Sequence, residues 1–546
     1  MAHGKPRRIE IYDTTLRDGT QGEGVALSLV DKLNICKRLD ALGVDFIEGG
    51  YPLSNPKDTA FFTECQKIKF SHARICAFGM TRRRGVEAGQ DAGMKALVAS
   101  GAPVITIVGK TWDLHVDEVL RVSRDENLAM IQESLAFCRD AGHEVFYDAE
   151  HFFDGFRANP QYAMQTLRAA LDGGASRLIL CDTNGGSLPG WIRDAVDQVK
   201  QGIGDFEGLG IHTHNDGGLA VADALAAIEV GCMHVQGTIN GIGERCGNAD
   251  LTSIVANLRL KMDCDCLTGD SLAKLTETSR FVYEVANMNL VPGQPFVGTA
   301  AFAHKGGMHV HAVQRAANSY EHIEPHRVGN TRRILISELS GGSTVSAILG
   351  DRFGIAGDRA KQQRVLERVQ ELEHQGYQFE AATASFELLV HEVLGTRPSF
   401  WDLDHYRCVI LKRAQEAAVT EGTVKLSVQG VMEHQVAEGD GPVNALDGAL
   451  RRCLANYYPQ LKNVHLRDFK VRVVNPTAES AAKVRVIAEF AVLDLDDKSG
   501  HVHDHFATIG VNENIVDASW QALVDAFVYH LITCGAAEGG GIRDKG

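Results

Sequence analysis

The sequence predicts an α/β chain: a (β/α)8 barrel, then helical linker subdomains, then an α+β domain with a duplicated βββα unit. Three observations carry that expectation. Residues 1–262 alternate short apolar runs with amphipathic stretches, eight times over. Residues 263–397 lose the strands and turn helical, and from 398 to 546 strands return in two groups, each followed by a helical pattern.

The eight strand-like runs are 8–12, 44–50, 74–79, 103–108, 143–149, 176–182, 208–214 and 233–239. They are short and largely apolar, as strands buried on both faces are. Between them lie helices. Segment 28–42 places Leu29, Leu33, Ile35, Leu39 and Leu42 at helical spacing, with Gly43 to stop it. Segment 189–200 opens with Pro189, which suits a first turn. A doubly wound open sheet is the alternative, but no GxGxxG follows the first strand.

In the linker, polar loops are expected around 290–305 and 318–343, and the charged stretch 358–376 reads as a solvated amphipathic helix. Further on, 421–430 alternates Val424, Leu426 and Val428 with polar residues, and 483–493 does much the same. Segment 443–450 (VNALDGAL) aligns without gaps on 516–523 (VDASWQAL), sharing the Val, both Ala and the final Leu. With strands in the same order before each, this predicts a duplication. Such a domain is either an effector-binding module or a ligand-free dimerisation domain.

Composition excludes several classes. The length implies two or three domains. A formal charge of -15 disfavours nucleic acid and anionic membranes, which attract a positive face. The twelve cysteines are scattered with no CxxC, so reduced thiols in a cytoplasmic protein are expected. The N-terminus runs into a strand with no apolar leader, and no apolar run approaches the roughly 18 residues of a membrane span.

The sharpest local feature is His212-Thr213-His214 at the end of the seventh run. Residues i and i+2 on a strand share a face, so both imidazoles can turn to one divalent ion, and a carboxylate is the natural third ligand. Asp18, in the loop after the first run, supplies it. In a closed barrel strands 7, 8 and 1 are neighbours, which an open sheet does not assure, so the ligand set itself favours closure. Other polar residues fall at the same strand ends: Glu48, Asp148, Glu150, Asp182, Thr183, Asn184 and the turn 241–248.

The runs DTTLRDGTQGEG (13–24), IEGGYP (47–52), CDTNGG (181–186), HTHNDGGLA (212–220), NGIGERCGNADL (240–251) and GGMHVHA (306–312) resemble the DRE-TIM metallolyase superfamily. Within it they are similar to the branch of isopropylmalate, homocitrate and citramalate synthases, which join acetyl-CoA to a 2-oxo acid on a TIM barrel. GDGPVNALDGAL (439–450) resembles that branch's leucine- or isoleucine-sensing domain.

The resemblance implies roles at matching positions. Asp18, His212 and His214 match metal ligands for Mn2+, Mg2+ or Zn2+, and Asn248 an additional ligand. Arg17 matches the arginine that stabilises oxygen charge on the keto acid. Thr183 matches the residue that binds its carboxylate, with Glu48 and Asn318 also expected on the substrate side. Glu150 matches a carboxylate near the acetyl methyl. His309 and Tyr320 match a histidine and tyrosine that, in the dimeric family, come from the partner subunit. The acidic residue usual shortly after that histidine is absent, Val310-His311-Ala312 standing there, so His304 and His311 compete with His309 for the proton work.

The resemblance thus implies a divalent-metal acyltransferase that uses acetyl-CoA, is homodimeric and responds to isoleucine or leucine. The acceptor is pyruvate, through YDTTLRDGTQGEG and IEGGYP together, with 2-oxobutanoate and isoleucine synthesis downstream. A longer 2-oxo acid is the alternative acceptor. A carbon–carbon lyase would need a catalytic cysteine, for which only Cys246 offers, and a catalytically silent sensor would have lost Arg17 or a ligand.

Overall fold

The computed structural model describes residues 6–204, 206–305, 307–335, 353–355, 357–474, 482–493 and 502–536. The chain forms two compact units, Met1–Phe302 with Glu321–Arg332, and Ala303–Tyr320 with Arg333–Gly546.

The first unit is a closed parallel barrel of β1 (Glu10–Asp13), β2 (Phe46–Gly50), β3 (Arg74–Met80), β4 (Val104–Lys110), β5 (Glu144–Glu150), β6 (Arg177–Asp182), β7 (Leu209–Thr213) and β8 (His234–Gly237). Closure is made by β8 on β1, with Glu10 opposite His234 and Asp13 opposite Gly237. All eight expected runs are strands, displaced by one or two residues at their ends. The difference with a consequence is β4, which continues to Lys110 and so delivers a charged side chain to the barrel mouth.

The helices between strands obey local rules. Leu29–Leu42 starts on Ser28 in a capping box with Asp31, stops at Gly43 in the left-handed region (φ 92), and buries Ile35, Cys36, Leu39 and Leu42 against the barrel. Pro189 opens Pro189–Ile203. Inside the barrel Tyr12, Phe46, Phe146 and His234 pack at 5.1–6.3 Å between ring centroids, with Cys76, Val104 and Ile179. This plug fills the lower interior, leaving space only at the upper mouth.

In the second unit Arg359–His374 and Thr383–Leu394 form a helical pair. The first is not simply solvated: it buries Val365, Leu366 and Val369 in a cluster with Phe386, Leu389 and Val390. Part of the expected loop 318–343 holds the short turns Ala317–Ser319 and Pro325–Val328, while 336–343 lies outside the described residues.

Two antiparallel three-stranded sheets follow, β9 (Asp402–Leu411), β10 (Val419–Val428) and β11 (Val431–Gly439), then β12 (Val464–Val473), β13 (Val484–Leu493) and β14 (Val502–Asn512). Each leads into a helix, Pro442–Leu454 and Ile515–Thr533. The aligned segments 443–450 and 516–523 both begin at the second residue of their helix, and the shared Ala445, Ala449, Leu450, Ala518, Ala522 and Leu523 are all buried. All twelve cysteines are free, and no helix of the described residues is long and apolar enough to cross a membrane.

Candidate active site

At the C-terminal mouth a cavity of about 270 Å³ is lined by Arg17, Asp18, Lys110, Asp148, Glu150, Thr183, His212 and His214, among others. Every strand of the barrel except β2 sends a residue, or its following loop, into this wall, β8 doing so through Glu244.

Asp18, His212 and His214 converge. His212 Nε2 lies 3.3 Å from His214 Nε2 and 3.5 Å from Asp18 Oδ2, and His214 Nε2 is 4.0 Å from the same oxygen. All three residues are at most 5% exposed. The alternation of β7 points both imidazoles inward, and β8 separates β7 from β1 by a single strand. Asp18 sits in the tight turn after β1, where the Arg17 and Gly19 amides both donate to the Thr14 carbonyl.

Electrostatics fit a cation here. Burial opposes the charge on Asp18, but Arg17 and the two imidazoles hold its carboxyl below the usual carboxylate range. Burial lowers His212, and burial with His212 beside it pulls His214 down to about 4, so both rings are neutral at pH 7, the form that can donate a lone pair to a cation. Asp18 Oδ1, His214 Nδ1 and Asn248 Oδ1 are buried with no protein hydrogen-bond partner. The two oxygens are costly to leave unbonded unless something else coordinates them, while Nδ1 is the far nitrogen of a ring whose Nε2 faces His212 and Asp18. The donor set suits a divalent ion.

Asn248 is brought beside His214 by an isolated bridge between the two residues. The loop that carries it needs glycine: a Cβ on Gly243 would sit 2.1 Å from Asn248 Nδ2.

Arg17 donates from Nε to Glu48 at 2.5 Å, contacts Asp18 at 3.3 Å, and stacks its guanidinium 3.8 Å from the centre of the Phe78 ring. Glu48, expected on the substrate side, lies beneath the cavity wall instead. It is fully buried, and its carboxylate accepts from Tyr12 (2.7 Å), Thr14 (2.5 Å) and Arg17. Its lone pairs are committed to aiming the guanidinium.

Glu150 pairs with Lys110 across the β4–β5 register, and both line the cavity. Thr183 Oγ1 accepts from the His151 amide at 2.8 Å, an amide turned toward it by the left-handed backbone of His151 (φ 53). Asp148 is pushed up to about 8 by burial and by Glu48. His309, Tyr320 and Asn318 belong to the second unit and are exposed. The His309 and Tyr320 rings stack with centroids 4.2 Å apart.

Sequence reasoning missed Lys110, Phe78 and Gln236. Lys110 was signalled by its place at the end of VITIVGK, one pleat beyond the predicted strand. Nothing local marks Gln236, which matters only because β8 packs against β7.

Fold and site together define a barrel enzyme of the HMGL-like class, whose family model matches residues 8–282. A homocitrate synthase post-HMGL domain-like model matches 296–377 and a LeuA allosteric (dimerisation) domain model 380–531. The chain is 48% identical to the (R)-citramalate synthase of Geobacter sulfurreducens, over 96% of this chain and 97% of that protein. It is 47% identical to that of Aquifex aeolicus, over 96% and 98%. A probable 2-isopropylmalate synthase of Methanopyrus kandleri is 30% identical over 95% and 97%. The chain belongs to the (R)-citramalate synthase family.

Proposed function

We propose that this protein condenses acetyl-CoA with pyruvate and hydrolyses the thioester, giving (R)-citramalate and CoA. The observation that carries this reading is full-length identity of 45–48% to four (R)-citramalate synthases, against 30% to the 2-isopropylmalate synthase above.

A divalent ion held by Asp18, His212 and His214, with Asn248 beside them, would supply Lewis acidity to the 2-oxo group. The side chains do the rest. Thr183 lies in the cavity wall as a hydroxyl for the substrate carboxylate. Glu150 takes a proton from the acetyl methyl, and Lys110, its partner, holds that carboxylate in place. The enolate carbon bonds to C2 of pyruvate, and the C2=O π pair moves onto oxygen. Arg17, pre-aimed by Glu48, meets that alkoxide charge without reorganising, and the proton taken up by Glu150 returns to the alkoxide to give the tertiary hydroxyl. Water then cleaves the thioester, releasing CoA and making the sequence irreversible. His309, Tyr320 and Asn318 keep the substrate- and proton-handling roles that the resemblance gives them.

We assign catalysis to 1–262, a linker role to 263–397 and effector binding with dimerisation to 398–546, with isoleucine as the effector and the cytoplasm as the location. The test is CoA release with Mn2+ across pyruvate, 2-oxobutyrate, 2-oxoisovalerate and 2-oxoglutarate. Preference for pyruvate is expected, and preference for a branched or longer acid overturns the assignment. Inhibition by millimolar isoleucine, lost on deleting 398–546, is the expected regulatory result. No response to isoleucine or leucine overturns it.

A further inference from the structure

A hydrogen-bonded chain runs inward from the metal ligands. His212 Nδ1 and Gln236 Oε1 are 3.0 Å apart, and Gln236 Nε2 donates to Asp148 Oδ1 at 3.0 Å. The three residues come from β7, β8 and β5 and are at most 5% exposed; His212 and Asp148 line the cavity and Gln236, bonded to both, is fully buried.

The direction of this chain is set where Asp148 Oδ1 accepts from Gln236 Nε2, which that oxygen does whether the carboxyl is ionised or carries its proton on Oδ2. A primary amide has one acceptor end and one donor end. With Nε2 committed to Asp148, Oε1 must face the imidazole, and an acceptor there requires His212 to donate from Nδ1. The proton is thereby kept off Nε2, the atom that faces Asp18 and His214. His214 has no such support: its Nδ1 is one of the buried atoms without a partner. Orientation of the ligand set therefore depends on His212.

We propose that Gln236 and Asp148 are positioning residues that hold His212 in its metal-binding tautomer, Asp148 acting by dictating which way the Gln236 amide faces. The inference rests on the proposed reaction only for its kinetic consequence, because ligand orientation is readable as metal affinity alone.

The experiment is titration of the full-length, metal-stripped protein with Mn2+, free ion being read by electron paramagnetic resonance. Gln236→Leu is expected to raise the Mn2+ dissociation constant about ten- to a hundred-fold. Asp148→Ala is expected to raise it about ten-fold, while Asp148→Asn, which keeps an acceptor oxygen for Nε2, stays within about three-fold of the parent. Circular dichroism melts report folding. If Gln236→Leu does not fold, the Asp148 pair carries the test, since both variants retain the amide. Equal affinities for Asp148→Ala and Asp148→Asn, or parental affinity in a folded Gln236→Leu, would overturn the proposal. A parent protein that binds Mn2+ but releases no CoA with pyruvate would sink the reaction and leave this inference standing.

Discussion

At the lower mouth of the barrel, charge is paired off where the strands begin. Arg177 makes two 2.7 Å bonds to Glu10, His234 Nδ1 approaches the same carboxylate at 3.2 Å, and Arg74 meets Glu144 at 2.5 Å. At the upper mouth, Asp18, Asp148 and Glu150 line one cavity with Arg17 and Lys110 as cations, Glu48 lies beneath its wall on Arg17, and three buried polar atoms lack protein partners. The same eight strands thus begin in paired charges, with His234 Nε2 the one atom of that group left without a partner, and end at a cavity where three buried polar atoms have none. Buried unpaired groups cost stability, so the lower mouth is where charge stabilises the fold and the upper mouth is where it is held ready for a ligand.

The comparison breaks first at Asp18. Asp18→Ala should cut CoA release at least about a thousand-fold, with a thermal midpoint no lower than the parent's. A large loss of stability would mean that this carboxylate serves the fold. Next, Arg17→Lys should lower kcat about a hundred-fold, because an ammonium cannot bond Glu48 and face the cavity through one planar fork.

At the lower mouth the expectation reverses. Glu10→Gln should cost about 1 kcal/mol in urea unfolding and leave kcat unchanged. Although burial works against its charge, the bonds to Arg177 and His234 depress the Glu10 carboxyl. Its contribution is therefore present above the unfolded-state value near pH 4.3 and disappears as pH falls below it, so parent and variant should converge in acid.

The smallest effect lies on the helix after β7. Burial, with Asp182 nearby, pushes Asp223 up to about 7. Between roughly pH 4 and pH 7 the folded state binds more protons at this group than the unfolded state, so its contribution to stability falls as pH rises. Asp223→Asn should shrink the drop in thermal midpoint between pH 5 and pH 8. An unchanged drop would confine the like-charge crowding to the cavity itself.

Strand positions were legible because buried parallel strands are largely apolar and the helices carry their own start and stop signals, as Ser28 and Gly43 show. The Asp18–His212–His214 set was legible because alternation and closure follow from simple geometry. What could not be read were roles assigned by a neighbour. Glu48 looks like any strand-end acid until Tyr12, Thr14 and Arg17 are seen to surround it. Gln236 looks like a core polar residue until His212 lies beside it. The amphipathic stretch 359–374 hid a packed face because its many charges mask Val365 and Val369.

In each half of the C-terminal domain the helix presses its fourth residue onto the sheet, so closely that a Cβ on Gly422 would come 2.6 Å from the Ala445 carbonyl carbon, and one on Gly510 1.9 Å from the Ala518 oxygen. Gly422 on β10 faces Ala437 of β11, and Gly510 on β14 faces Val486 of β13. Ala437 and Gly510 each lie eight residues before the alanine they help to seat, so the two rungs are equivalent while the glycine stands on opposite partners. The likeness of the two halves lies in a shape rather than in letters: each rung that seats the helix keeps one glycine, on the middle strand in the first half and on the edge strand in the second.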